Sequence, residues 1–160
     1  MERLVIHDIG VVPEAAISGA ALVQTESSAY LTFNAMRDTD RPSPYGGFYR
    51  EDAGTAIIEL VGCSITKFGY PNDEAWSAIP RYSETDAHGV YEVENSDWLI
   101  ELAELNRHGF PETKEWPGHH FVFLFHDSSF ECICRELKVE VSQEKFLYIW
   151  QRLTSRVLEG

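Results

Sequence analysis

The hydrophobic pattern of the chain centres on residues 119–135, where an apolar run, Phe121 to Phe125, is followed by a polar turn and an alternating segment. Four of these five residues are aromatic or β-branched, which is typical of a strand covered on both faces. Residues 129–134 predict a second strand, and the two pair as an antiparallel hairpin through residues 126–129. We expect the fold to be built around this hairpin.

The expected hairpin register follows from a turn of two or four residues. It forms one apolar face by pairing Phe125 with Phe130, Phe123 with Cys132 and Phe121 with Cys134. On the other face, Glu131 lies opposite Leu124 and diagonal to His126. Apolar neighbours raise the pKa of a carboxyl group and a nearby imidazolium lowers it, a combination found at functional sites and in structural ion pairs alike. A three-residue turn would remove this arrangement.

Other segments also alternate in the manner of strands. We predict strands at residues 4–6, 11–12, 15–23, 29–35 and 90–93, and a long β-type segment at 55–68 with a bulge or bend at Gly62. Residues 37–47 are rich in Pro, Gly and Asp and predict an exposed loop. The apolar phase changes at Arg135-Glu136, which indicates a bulge or turn there.

Three segments predict helices. Asn95 or Ser96 caps a helix over about 96–108, which ends before Gly109. Ser142 caps a final helix over about 142–158, and a short helix at 74–78 begins at Asn72 or Asp73. Together these elements predict one α+β domain over residues 1–160. Its mainly antiparallel sheet has about six to eight strands, packed with two main helices.

Length and composition fit a globular cytoplasmic protein. The chain has 160 residues, of which 44% are hydrophobic and 24% charged. No apolar stretch approaches the roughly 20 residues of a membrane span, and the amino terminus lacks the pattern of a signal peptide. Three cysteines without framework spacing indicate a reducing compartment, where Cys132 and Cys134 pack in the core.

The formal net charge of −13 argues against binding nucleic acids or anionic membranes. Between Arg81 and Arg107 lie seven acidic residues and no Lys or Arg. Such a surface steers a basic protein towards it, and it also keeps a cytosolic protein soluble. Aromatic side chains in the same segment could anchor the partner in the interface. The predicted partner-binding residues are therefore the acidic Glu84, Asp86, Glu92, Glu94, Glu101 and Glu104 and the aromatic Tyr91 and Trp98, with Tyr82 as a further aromatic candidate.

Short motifs for metal binding or catalysis are lacking in the sequence. His119 and His120 are adjacent, so they point to opposite faces of a strand, and we expect no metal and no cofactor. A general acid–base site would use His126 with Glu131, and Asp127 beside them. Ser128 lacks the surroundings of a serine nucleophile, and with Asp127 it fits a hydrogen-bonded turn. A pocket here would draw on Tyr70, Asp73, His120, His126, Ser128 and Glu131.

Three sequence segments resemble those of a known group of proteins. They are Phe-Gly-Tyr-Pro-Asn-Asp-Glu at 68–74, the Tyr-Glu-Val and Asn-Ser-Asp-Trp-Leu segments within 91–99, and the segment from His120 through Phe-His-Asp-Ser-Ser-Phe-Glu-Cys at 125–132. Residues 68–135 resemble a group of small bacterial proteins with no established activity. The resemblance therefore implies membership of that group and no mechanism.

Two functions fit this sequence. The first is a non-catalytic, immunity-like or inhibitor-like protein that binds a basic protein through its acidic surface. The alternative is a small-molecule enzyme or ligand-binding module with a His/carboxylate pocket around residues 126–131.

Overall fold

The structure, a computed structural model, describes residues 1–17, 19–80, 82, 85 and 88–160, without the side chain of Ser77. These residues form ten strands, two α-helices and a 3-10 segment at Asp73–Ala78. The strands are β1 Arg3–Ile6, β2 Val12–Pro13, β3 Ala21–Gln24, β4 Ala29–Pro42, β5 Phe48–Val61, β6 Ile65–Gly69, β7 Gly89–Glu94, β8 His119–Leu124, β9 Ser129–Cys134 and β10 Glu136–Ser142. The helices are α1 Asp97–Arg107 and α2 Phe146–Glu159.

The described strands form two five-stranded antiparallel sheets. Sheet A has the order β1-β7-β8-β9-β6, and sheet B has the order β10-β5-β4-β2 with β3 also paired to β4. The predicted α+β class with two main helices is confirmed. The number of strands exceeds the predicted six to eight because the chain forms two sheets instead of one.

The main hydrophobic core lies between the two sheets. Alternation along each strand directs Phe33 and Ile58 of sheet B towards Phe123 and Phe130 of sheet A. The ring of Phe33 lies 6.1 Å from that of Phe123 across this interface. Cys132 and Cys134 are buried in the same core as free thiols, as the sequence predicted.

Each sheet has a helix against its outer face. On sheet B, Ile149, Leu153 and Val157 of α2 pack on Tyr30 and Ile57. On sheet A, α1 lies over β8, and a second cluster packs under the 3-10 segment: Trp76, Tyr82, Tyr91, Val93, Val122 and Leu124. The domain is therefore a sandwich of helix, sheet, sheet and helix.

The chain passes from one sheet to the other at Arg135. Strand β9 ends at Cys134 in sheet A and β10 begins at Glu136 in sheet B, so the change of apolar phase predicted here is confirmed. The Arg135 amide donates to the Val61 carbonyl at 2.8 Å. Gly62, in the turn that ends β5, lets the Arg135 side chain approach, because a Cβ at Gly62 would lie 2.9 Å from Arg135 Cδ.

Three predictions about boundaries need correction. The final helix begins at Phe146 and not at Ser142, which ends β10 and accepts a hydrogen bond from the Glu144 amide at 3.1 Å. Residues 37–47 are largely exposed as expected, but β4 extends through them to Pro42 and pairs with β5 in a long hairpin of irregular register. Of residues 15–23, only those from Ala21 onwards are in a strand.

The central hairpin forms with a different register from the predicted one. Phe123 pairs with Phe130 and Phe121 with Cys132, because the two turn residues are His126 and Asp127. Phe125 and Ser128 flank that turn, joined by a 2.9 Å bond from the Phe125 amide to the Ser128 carbonyl. In the predicted register, a two-residue turn would instead be Asp127-Ser128. A shift by two residues keeps every side chain on its predicted face. It moves Glu131 opposite Val122 and away from the turn, however.

Candidate functional site

The turn of the central hairpin lies beside the segment that follows β6. Strand β6 pairs with β9, with Gly69 opposite Ser129, so residues 70–74 continue alongside the hairpin turn. Asn72 caps the 3-10 segment by accepting from the Ala75 amide at 3.2 Å. The Asp73 amide donates to the His126 carbonyl at 3.1 Å. This bond fixes the backbone of Asp73 against the turn.

Asp73 accepts hydrogen bonds from two histidines at this edge of the sandwich. Its Oδ2 atom lies 2.6 Å from His126 Nδ1 and 3.1 Å from His88 Nε2. The side chains of Asp73 and His88 are each 17% exposed, and that of His126 is 41% exposed. His126 Nε2 also lies 3.8 Å from Asp127 Oδ1. We call Asp73, His88 and His126 the His–Asp–His cluster.

Opposing effects set the pKa values in this cluster. Burial raises the pKa of Asp73, but the hydrogen bonds and charges of His126 and His88 together outweigh it and lower that pKa. The hydrogen bond and negative charge of Asp73 raise the pKa of His126, against a smaller effect of burial, and the carboxylates of Asp127 and Glu74 contribute in the same direction. The cluster therefore favours a carboxylate beside an imidazolium.

Substitution of Asp73 by Asn is expected to lower the pKa of His126, because the largest cause of its rise is then removed. An NMR titration of the imidazole resonances measures this change. Asp127→Asn is the matched control and should lower the pKa less, because Asp127 is a weaker contributor. An equal fall in both variants would contradict the assignment.

The same shifts define a pH window for stability. Because the pKa of His126 is raised in the folded protein, its protonation stabilises the fold at every pH below the ordinary pKa of 6.5. This stabilisation is lost as the pH rises through the raised pKa. Because the pKa of Asp73 is lowered, its carboxylate stabilises the fold at every pH above the ordinary pKa of 3.8. This stabilisation is lost as the pH falls through the lowered pKa. Both contributions are present between those two ordinary values.

A second polar cluster lies on the outer face of sheet A, under the amino terminus of α1. Ser96 Oγ lies 2.7 Å from His120 Nδ1, and His120 Nε2 lies 3.0 Å from Glu131 Oε1. His120 is fully buried, and Ser96 and Glu131 are each 4% exposed. Ser96 also caps α1, because its Oγ accepts from the Leu99 amide at 3.2 Å. We call Ser96, His120 and Glu131 the Ser–His–Glu cluster.

Hydrogen bonds join the three residues of the Ser–His–Glu cluster in a chain with His120 at its centre. Nδ1 of His120 faces the Ser96 hydroxyl and Nε2 faces the Glu131 carboxylate, which is the order of these three groups in hydrolases. A cavity of about 350 Å³ borders this cluster and is lined by Glu2, Lys67, Asp97, Trp98, Glu101 and Glu131. Ser96 and His120 are not among the residues that line this cavity. Their hydrogen bonds join the first turn of α1 to β8 and β9.

The pocket predicted around residues 126–131 is divided between these two clusters. His126 joins Asp73, whereas Glu131 joins His120, so the predicted His126–Glu131 pair does not form. Tyr70 is 78% exposed beside the first cluster. Ser128 lines a different cavity, with Phe125 and Asp127. His88 was not among the predicted site residues, and Ser96 was predicted only as a helix cap.

The acidic segment is also divided by the fold. Glu92 pairs with His119 and Glu94 with Arg3, each at 2.6 Å. Tyr82 and Tyr91 are buried in the cluster under the 3-10 segment, so their rings do not reach the surface as anchors. Trp98 is half-buried, with its ring 5.1 Å from that of His120. The predicted partner-binding residues Glu84 and Asp86 lie outside the described residues.

One helix keeps exposed acidic residues beside exposed apolar ones. Positions three and four apart share a helix face, and Asp97, Ile100, Glu101, Glu104 and Leu105 form such a stripe on α1. All five are exposed, Ile100 at 54% and Leu105 at 68%. Among the described residues, Glu101 and Glu104 have no ion-pair partner. We call this stripe the acidic α1 face.

Comparison with protein-family models, with curated proteins and with solved structures finds no match to this chain. None of the helices in the described residues is long and apolar enough to cross a membrane.

Proposed function

We propose that the protein acts by binding a basic protein partner through the acidic α1 face, in the manner of an immunity or inhibitor protein. The observation that supports this most is the stripe itself, in which three acidic residues alternate with Ile100 and Leu105 on the exposed side of one helix. Exposed apolar side chains beside unpaired carboxylates have the composition of a partially polar protein interface.

The two kinds of side chain have different roles in such an interface. The carboxylates attract a basic partner over a distance and increase the rate of encounter. Ile100 and Leu105, which are 54% and 68% exposed, then contribute affinity, each by less than the about 1.5–3 kcal/mol gained when a fully exposed side chain is buried. The net charge of −13 extends the attraction beyond the helix.

The helix is held rigidly, which favours binding. Ser96 fixes its first turn to His120, and Ala103 is buried on the side of the helix opposite to the acidic α1 face. Arg107, in the last turn, donates to the carbonyls of Thr113 and Lys114, both at 2.8 Å. A preorganised surface loses less conformational entropy on binding.

The double substitution Glu101→Gln/Glu104→Gln is expected to weaken binding of the partner roughly tenfold, since an exposed ion pair contributes up to about 1 kcal/mol. The measurement is affinity capture from an extract of the native cells at low and high salt, followed by titration of the captured protein. We expect one basic protein that is retained at low salt and released at high salt.

The matched control is Glu26→Gln/Glu159→Gln, which changes the net charge equally at two exposed sites off α1. This control should bind the partner like the wild-type protein. A third variant, Leu105→Ser, should weaken binding with little change in salt dependence, because it removes apolar contact and no charge. Capture of no basic protein, or equal affinity of the α1 variant and the control, would contradict the proposal.

A further inference from the structure

We propose that the His–Asp–His cluster binds one divalent transition-metal ion, with Zn²⁺ as the fitting representative. Asp73, His88 and His126 each offer one ligand atom, and these three atoms lie within 4.8 Å of one another. The site is distinct from the acidic α1 face and does not depend on the binding function proposed above.

The donor set selects the class of ion. Two imidazole nitrogens and one carboxylate oxygen suit Zn²⁺ and its neighbours in the first transition row, whereas Ca²⁺ and Mg²⁺ prefer sites made of oxygen. Three protein ligands also leave a coordination position open for water or a small molecule, as in catalytic zinc sites. The cluster therefore has the composition of an open site and not of a closed structural one.

The distances describe the cluster in its protonated form. Asp73 Oδ2 lies 2.6 Å and 3.1 Å from the two histidine nitrogens, with hydrogen-bonding protons between them. Ligands of a tetrahedral zinc ion, about 2.0–2.1 Å from the metal, lie roughly 3.3 Å apart. An ion that displaces those protons must therefore lengthen the two distances from Asp73 to the histidine nitrogens, by about 0.7 Å for His126 and about 0.2 Å for His88. His126 has room for this movement because its side chain is 41% exposed.

The backbone holds the three ligands from separate elements. Asp73 begins the 3-10 segment and is joined to the His126 carbonyl, whereas His88 directly precedes β7. The His88 ring packs edge-on against Trp76, with ring centroids 5.3 Å apart. The fold thus positions the ligands before any ion arrives, which lowers the entropic cost of binding.

A cavity borders the cluster at His88. It has a volume of about 300 Å³, reaches His88, and is also lined by Asp8, Asp38, Arg50 and Tyr91. Asp127, at 3.8 Å from His126 Nε2, lies on the exposed side of the cluster.

The test uses the full-length protein, freed of metal with a chelator and dialysed. Calorimetric titration with Zn²⁺ alone should show one tight site, and Co²⁺ should give the visible absorption bands of a low-coordinate ion with nitrogen ligands. Removing a residue that only hydrogen-bonds to a metal ligand usually lowers metal affinity by about 10–100-fold. His126→Ala removes a ligand itself, so it should lower the affinity for Zn²⁺ by more than that. His88→Gln should have a similar effect, and circular dichroism should show that both variants are folded.

The matched control is His119→Ala. His119 forms a histidine–carboxylate pair of the same 2.6 Å length with Glu92, but it belongs to no group of three ligand-type residues in the described chain. This variant should bind Zn²⁺ and Co²⁺ like the wild-type protein. Absence of a tight Zn²⁺ site, or an affinity unchanged in both His126→Ala and His88→Gln, would overturn the proposal. No partner protein is used in this test, so its result is independent of whether the acidic α1 face binds a basic protein.

Discussion

Replacement of His120 by alanine is expected to reduce the free energy of unfolding by about 2–5 kcal/mol, the range for truncating a large buried side chain to alanine. His120 is fully buried and links Ser96 to Glu131, which are each 4% exposed. Its loss removes a hydrogen bond from a buried carboxylate and the acceptor of the Ser96 hydroxyl. It also leaves a cavity between α1 and sheet A.

Chemical denaturation followed by fluorescence measures this loss, since Trp98 packs on the His120 ring. His119→Ala is the matched control: it lies on the same strand, faces the opposite way, and makes an exposed pair with Glu92. We expect that variant to lose at most about 1 kcal/mol, as is usual for exposed ion pairs. Equal losses would show that the Ser–His–Glu cluster does not anchor the helix.

A conservative variant separates hydrogen bonding from charge in this cluster. Gln at position 131 retains an oxygen that accepts from His120 Nε2, so Glu131→Gln should be much less destabilising than His120→Ala. A loss as large as that of His120→Ala would mean that the negative charge, and not the hydrogen bond, is what the fold requires at this position.

Replacement of Phe123 by alanine is expected to cost about 3–5 kcal/mol, the usual range for deleting a buried aromatic ring. Phe123 is fully buried between the sheets, where its ring lies 5.8 Å from that of Phe130 and 6.1 Å from that of Phe33. The substitution removes contacts to both sheets at once. The midpoint of urea unfolding should fall accordingly, whereas the slope of the transition should not change.

Phe68→Ala is the matched control for that experiment. Phe68 lies on the edge strand β6, is 41% exposed, and contacts the Phe130 ring at 5.9 Å. Deleting the same ring at a partly exposed position should cost much less, about 1 kcal/mol, in line with the values usual for point mutants. If both substitutions cost the same, the interface between the sheets is not the main source of stability.

The sequence predicted most of the elements because hydrophobic periodicity is a local property. The strands of the central hairpin and the faces of their side chains follow from alternation, and the start of α1 follows from its Ser96 cap. The hairpin register was wrong because His126-Asp127 is not a turn pair with a strong preference. The start of α2 was wrong because Ser142 fits a helix cap and the end of an alternating strand equally well.

The clusters were harder to predict because they depend on which strands become neighbours. Asp73 is 15 residues from His88 and 53 from His126, and these residues meet only because β6 pairs with β9 while β7 pairs with β8. The burial of Tyr91 has a similar cause. Periodicity shows that a strand has two faces, but it does not show which layer covers each of them.

The crossing at Arg135 has a consequence for the order in which the protein is assembled during synthesis. Strand β10 supplies the outer partner of β5 in sheet B, with residues 136–142 opposite 55–61. The hydrogen-bonding edge of β5 therefore remains open until the chain has been made through residue 142, long after β4 and β5 have emerged. Open strand edges pair readily with other chains, so this interval is when the nascent protein most needs a chaperone.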